Sequence, residues 1–442
     1  MANDLTQGSI AGNIRRFSLP YMLSYFLQIL YGLADLIIIG LYCNVDSTTA
    51  VSNGAQVMHM FTVIIIGLAM GSTVLIGRAV GSADSKRVAS AIGNSIILFT
   101  VVAIVVTGPL LAFEKGIVRL INTPPEAIQG TIGYLTICFA GIPFIVTYNV
   151  IASIFRGLGD SKSPMWFVVI ACATNIVLDF VFIGALGLGP KGAALGTTIS
   201  QAVSVLAAFA AIRKKGLFPV ISARDLRPDS GVIGRILGVG VPVALQDGFI
   251  QVSFIVITII ANSRGLVDAA AVGIVEKFIG LLFIVPSAML ATVSAVSSQN
   301  LGAGKPERAV GTLRSCIAIA AGFGLVVSVV YQFIPELAVR IFTSDPDVIA
   351  EGADYLRSYV WDCLLAGIHF AFSGLFTACG YSLISFFHNT VSMCVRIPFA
   401  YFASLAYPLS LYPMGLTSPV GSLVSVIICL IAYYWLRKKK II

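Results

Sequence analysis

Long apolar runs recur along the chain, separated by short polar turns, and run length carries more signal than any amphipathic period. A membrane-spanning helix needs about 20 predominantly apolar residues. Twelve stretches reach that length. Six lie near 14–42, 52–77, 91–113, 130–153, 164–187 and 192–213, and six near 236–261, 270–297, 311–334, 354–377, 384–409 and 417–436. The pattern predicts an all-α integral membrane protein with twelve transmembrane helices. Between the sixth and seventh runs lies the one long polar stretch, Lys214 to Arg235, with Pro219, Pro228 and Gly231 inside it. It divides the chain into an N-terminal six-helix lobe over 1–213, a cytoplasmic linker over 214–235 and a C-terminal six-helix lobe over 236–442.

The two lobes are copies of one pattern. Ile154 to Ser161 lies over Leu375 to Ser382, Tyr134-Leu135 over Tyr355-Leu356, and the turn Gly81 to Arg87 over Gly302 to Arg308, all at an offset of 221 residues. Pro20 lies over Pro242, one residue further on. Six spans return the chain to its starting side, so the copies share one orientation. This is a parallel internal repeat about an axis along the membrane normal, an architecture that transporters use to move one half against the other.

Composition agrees with that reading and adds a direction. Hydrophobic residues make up 57% of the chain and charged ones 11%, against roughly 25% charged in soluble proteins; mean hydropathy is +0.95. Of the 28 Lys and Arg, 20 fall on the side of the termini and 5 on the other. That bias places both termini in the cytoplasm of a multi-pass protein of the cell (cytoplasmic, inner) membrane. The net charge of +8 is spread over loops, and the run Lys438–Lys440 is an ordinary stop at a helix end, so no nucleic-acid partner is expected. The first apolar stretch is long enough to span and reads as a retained helix rather than a signal peptide.

Several chemistries are set aside. The eight cysteines show no CxxC pair, and His59, His369 and His388 are scattered, so no transition-metal site is expected. The Gly-rich turns follow no strand and contain no Gly-Lys-Ser/Thr, so no nucleotide is expected. No nucleophile constellation marks an enzyme, no symmetric filter segment marks a channel, and no cofactor is required. Transport would then be driven by an ion gradient.

The buried acids suggest where that ion binds. A charge at the centre of a span costs about 2.5–3.5 kcal/mol on insertion scales, so each needs an explanation. Asp35 lies in the first span and Asp179 in the fifth, each 15 residues after a proline near the entry, Pro20 and Pro164. At about 1.5 Å per residue both acids sit roughly 22 Å along, at similar depth in the outer half. Asn175 shares a face with Asp179, and Tyr134 and Thr197 fall in the outer parts of the fourth and sixth spans. Two carboxylates, an amide, a phenol and a hydroxyl therefore meet in one layer. Such a set can share a proton between carboxylates, or bind sodium at Asp35, Asn175 and Asp179, since hard cations take oxygen ligands. A capping or pairing role would recur in both copies, yet the second has Ile257 for Asp35, Ala400 for Asp179 and Arg396 for Asn175.

The second copy carries polar residues of its own. Glu276 and Lys277 are adjacent and read as a neutralised pair near the interface. Asp362 and His369 are seven apart and share a face, and Arg396 can pair with Asp362 across helices. Asp247, with Gln246 and Gln28, is a candidate lining of a substrate cavity, where an acid would attract a cationic substrate. Pro20 lies upstream of Asp35, and a bend there would move the acid.

The chain resembles the multidrug and toxic compound extrusion family. The resemblance rests on Pro20, Gln28, Asp35 and Gly40 in the first span, on Arg156-Gly157-Leu158-Gly159-Asp160, and on Gln299-Asn300-Leu301-Gly302-Ala303-Gly304. It extends to Asp35, Tyr134, Asn175, Asp179 and Thr197, which match the N-lobe cation site of that family's proton- or sodium-coupled members. It implies a monomeric antiporter in the bilayer that exports organic cations, drugs or toxic metabolites as H⁺ or Na⁺ enters. It also implies that protonation of the first-span acid bends the helix at Pro20. One branch of the family has acids in the seventh and tenth spans where this chain has Ile250 and Ile368, so the coupling site is placed in the N lobe. The alternative is a lipid-linked sugar or other metabolite flippase of the same larger fold group, whose cavity would be more basic.

Overall fold

A computed structural model describes residues 4–215 and 226–442. The first half builds α1 (Ile10–Tyr42), α2 (Val45–Gly81) and α3 (Ser85–Leu120), then a broken span of α4 (Ile128–Ala140) and α5 (Ile142–Gly157). Next come α6 (Lys162–Asp179), extended by the π-helical turn Phe180–Ala185, and α7 (Gly189–Lys215). The second half opens with α8 (Ser230–Asn262) and a two-piece span, α9 (Leu266–Leu282) and α10 (Ile284–Gly302). It continues with α11 (Pro306–Phe333), the short α12 (Pro335–Arg340), and a second two-piece span, α13 (Pro346–Tyr359) and α14 (Asp362–Cys379). It ends with α15 (Ser382–Ala406), the short α16 (Tyr412–Gly415) and α17 (Thr417–Lys438).

Ten helical segments among the described residues are long and apolar enough to cross a membrane, and the α4–α5 pair, bent by 49°, is an eleventh. The twelfth is α15, 25 residues long, whose buried His388, Asn389 and Arg396 make it less apolar than the rest. Of the linker expected at 214–235, residues 216–225 lie outside the described residues, and α8 already begins at Ser230.

The duplication is written into the backbone. Gly159 and Gly380 both take positive φ, 82° and 83°, and Ala83 and Gly304 do so at 54° and 68°. Each pair stands at the 221-residue offset. The bonds that close the turns repeat as well: Asp160 N donates to Phe155 O and Tyr381 N to Phe376 O, both at 2.8 Å. Only a residue tolerating the left-handed region fits these turns without strain.

Two compact units result. One runs through Leu19–Gly240; the other takes in Leu5–Ser18 and Val241–Ile442. Thus α1 starts in the second unit and α8 in the first, and each changes unit two residues before its internal proline, Pro20 or Pro242. In the second unit, Phe17 packs with Ala295 and Val296. The segment before α1 is docked by the Gln299–Arg308 turn: Leu5 N donates to Gln299 Oε1 at 3.1 Å, Asn300 Nδ2 to Leu5 O at 3.3 Å, and Arg308 Nη2 to the Gln7 and Gly8 carbonyls. In the first unit, Gly71 and Gly240 let α2 and the start of α8 touch backbone to backbone, against Ile236 O and Leu68 O.

Lipid tails are as apolar as leucine, so such close approach of small residues supplies much of the helix association. Gly71→Ala and Gly240→Ala are each expected to cost about 1–3 kcal/mol through overpacking. Gly238→Ala, on the same helix with no atom within 4 Å of the added carbon, is expected to leave the unfolding midpoint unchanged. Thermal unfolding of the purified variants tests this contrast.

Candidate functional site

In the first unit α1 and α6 each present one carboxylate to a common point. Asp35 is 4% exposed, Asn175 1% and Asp179 0%, so no bulk water solvates either acid. Thr197, half-buried on α7, donates from Oγ1 to Asp35 Oδ2 at 3.3 Å. Asp179 and Asn175 lie against Asp35, and the two carboxylates abut. Among the described residues Asp35 Oδ1 and both oxygens of Asp179 accept no hydrogen bond of good geometry, and the Asn175 amide neither donates nor accepts one. Unpaired buried polar groups typically cost about 1–3 kcal/mol each, and more when charged. Two facing carboxylates also repel unless a proton or a cation lies between them. The donor set is all oxygen apart from the amide nitrogen, which suits H⁺ or a hard monovalent cation.

Local structure explains how the acids meet. The helix changes from α to π pitch immediately after Asp179, a distortion that recurs at functional sites because it re-aims side chains. On α7, Gly196 leaves the space that Asp179 fills: a Cβ there would collide with Asp179 Oδ1 and stand 3.6 Å from Asn175 Nδ2. Tyr134 stands at the edge. Its ring fills the space beside Gly54 of α2, and its hydroxyl lies toward Cys138. The structure therefore gathers Asp35, Asn175, Asp179 and Thr197, with Tyr134 bordering them.

Sequence reasoning missed four neighbours: Tyr31, Cys138, Cys172 and Gly196. For three of them helical spacing held a signal. Tyr31 is one turn before Asp35, Cys172 is three before Asn175, and Cys138 is one turn after Tyr134. Gly196 gave only its adjacency to Thr197.

Other expected residues make contacts of their own. Pro20 is inside α1, and Ser24 Oγ donates to its carbonyl at 2.8 Å. Gln28 lines a small cavity with Tyr21, Ser24, Tyr148, Asn149 and Arg156, whose guanidinium sits 5.6 Å over the Tyr21 ring. Gln246 is buried and Asp247 half-buried on α8. The neutralised pair expected of Glu276 and Lys277 does not form. Lys277 is exposed, and Glu276 pairs instead with Arg396 at 3.6 Å, because adjacent residues on a helix point in different directions.

A duplicated twelve-helix bundle with a dehydrated carboxylate pair in one copy is the architecture of a membrane transporter. The chain belongs to the MatE family: the family model matches residues 20–181 and 242–402, once in each half. It is 30% identical over 399 residues to the probable multidrug resistance protein YpnP of Bacillus subtilis, covering 90% of this chain and 89% of that one. It is 25% identical over 443 residues to the probable multidrug resistance protein YoeA of the same organism, covering 98% and 95%. Its fold matches the solved structure described as the outward-facing conformation of a multidrug resistance MATE family transporter of the MOP superfamily. That match has a TM-score of 0.92 at 24% identity and covers 100% of this chain and 98% of that one.

If Gly196 exists to admit the Asp179 carboxylate, Gly196→Ala is expected to destabilise the protein by about 1–3 kcal/mol. Adding Asp179→Ala is then expected to return most of that loss. A double-mutant cycle on unfolding midpoints tests the coupling.

Proposed function

We propose that this protein is an antiporter of the cytoplasmic membrane that exports organic cations, drugs or toxic metabolites in exchange for H⁺ or Na⁺ bound at Asp35 and Asp179. The observation that carries the reading is the abutting pair of buried carboxylates, present in one copy of the repeat and replaced in the other. An architectural pair has no reason to be confined to one copy. A cation between the two acids cancels their repulsion, and its departure restores it, so occupancy changes the force between α1 and α6. Of these two helices, α1 carries an internal proline, Pro20, which removes a backbone bond and lets the helix bend there. The names of the relatives support multidrug export, and the 20-to-5 distribution of Lys and Arg supports cytoplasmic termini. The protein acts in this reading as a monomer, without cofactor or nucleotide and without enzymatic chemistry. Gln28, Gln246 and Asp247 are its candidate substrate contacts.

Cells producing the protein are expected to accumulate less ethidium-like dye than control cells, with an ionophore abolishing the difference. Asp35→Asn and Asp179→Asn, at wild-type abundance, are expected to bring accumulation to the control level. Normal coupled export by both variants would refute the proposal. Dye efflux from proteoliposomes under separately imposed proton and sodium gradients identifies the ion.

A further inference from the structure

The second unit holds a different buried cluster at the location equivalent to the first-unit acids. At the 221-residue offset Arg396 replaces Asn175, Tyr355 replaces Tyr134, Ser418 replaces Thr197 and Ala400 replaces Asp179, while Ile257, one residue further on as for Pro20 and Pro242, stands for Asp35. Arg396 is 9% exposed. Its Nη2 lies 3.6 Å from Glu276 Oε1 and 3.1 Å from the Tyr359 hydroxyl, and its guanidinium sits 5.1 Å and 5.3 Å over the rings of Phe254 and Tyr359. This copy thus carries a cation of its own, tethered to α15. Asp362, at the break between α13 and α14, also lies within its electrostatic reach.

One guanidinium facing two carboxyl groups leaves a net negative charge in a medium that tolerates none. Glu276 takes the direct ion pair. Asp362, 4% exposed, accepts a hydrogen bond from Ser418 Oγ at 2.7 Å on Oδ2, while its Oδ1 has no partner among the described residues. From Asp362 a file of polar groups continues through the bundle. Ser422, one turn after Ser418, stands beside Asp362 and 3.4 Å from His369 Nε2. The His369 ring lies 5.8 Å from that of His388, whose nitrogens contact Ser425 Oγ at 2.6 Å and Ser373 Oγ at 2.9 Å. His369 Nδ1, like Asp362 Oδ1, is buried without a partner. Asp362, His369 and Ser373 lie on one face of α14, and Ser418, Ser422 and Ser425 on one face of α17.

We infer that Asp362 is a second proton-binding site, in the C-terminal unit, where the carboxyl takes one exchangeable proton beside the fixed guanidinium of Arg396 and Ser422 links it to His369. The charge count calls for a single positive charge, and the imidazoles suit a proton rather than an alkali cation. Titratable groups on the surrounding helices are few. From α15 come Arg396 and His388, from α13 Tyr355 and Tyr359, from α9 Glu276, from α14 itself Cys363, and from α17 Cys429. The buried face of α11 contributes Cys316, and that of α10 contains no titratable group. This inference goes beyond the antiport reading and does not rest on it.

The test is difference infrared spectroscopy of the purified full-length protein in lipid between mildly acid and mildly alkaline buffer, in the Asp35→Asn/Asp179→Asn background. The expected result is a pH-dependent carboxylic-acid carbonyl band. It is lost on adding Asp362→Asn and shifted in frequency on adding Ser418→Ala, a smaller change that keeps the charge set intact. Absence of the band, or its loss with Glu276→Gln while Asp362→Asn preserves it, overturns the inference. Dye efflux by the Asp35 and Asp179 variants is read separately, so failure of the antiport reading and failure of this one give different results.

Discussion

Two carboxylates held side by side away from water define the chemistry available to this molecule. Each resists losing its hydration, and each repels the other, with a force that a low-dielectric interior strengthens. The arrangement is tolerable only with a positive charge between the two, so the surrounding structure can be understood as what holds it in place. Gly196 gives up its side chain to admit Asp179, the helix changes pitch at that residue, and Thr197 supplies a hydroxyl to Asp35. The bundle thereby holds a site whose stability depends on what occupies it. That dependence is what an ion-coupled transporter requires of its scaffold.

The repeat shows how one scaffold holds charge in two ways. In the function proposed above, the first unit leaves its cation to come and go. The second has a guanidinium at the position of Asn175 and surrounds it with Glu276, the hydroxyl and ring of Tyr359 and the ring of Phe254. A tethered charge cannot leave, which suits this copy to a steadier role. On the inference drawn above, the surplus acid, Asp362, retains the capacity for exchange, and a single proton satisfies it. Duplication followed by divergence at a few positions thus gives two electrostatic environments on nearly the same backbone, as the matched turns at Gly159 and Gly380 attest.

A second constraint comes from connectivity. The first helix of each half begins within the other half's unit and crosses back just before a proline. Proline cannot complete the backbone ladder, so the crossing falls where the helix is least resistant to bending. In α1 the same helix continues to Asp35, joining the bendable point to the charged site through one rigid element.

Much of this was legible in the chain. Run length determined the twelve spans, the 221-residue offset revealed the duplication, and a carboxylate within each of two apolar runs marked Asp35 and Asp179, because a charge in lipid is too costly to be casual. Asn175 followed from helical spacing. Tertiary structure decided the rest, since contacts between helices have no fixed sequence separation. It made Arg396 rather than Lys277 the partner of Glu276, put Tyr134 at the rim of the acid cluster, and turned Gly196 from a small residue into the space for Asp179. It also joined Asp362, Ser422 and His369 into one file across two helices. Sequence can say which side chains must avoid lipid; only the packed bundle says which of them meet.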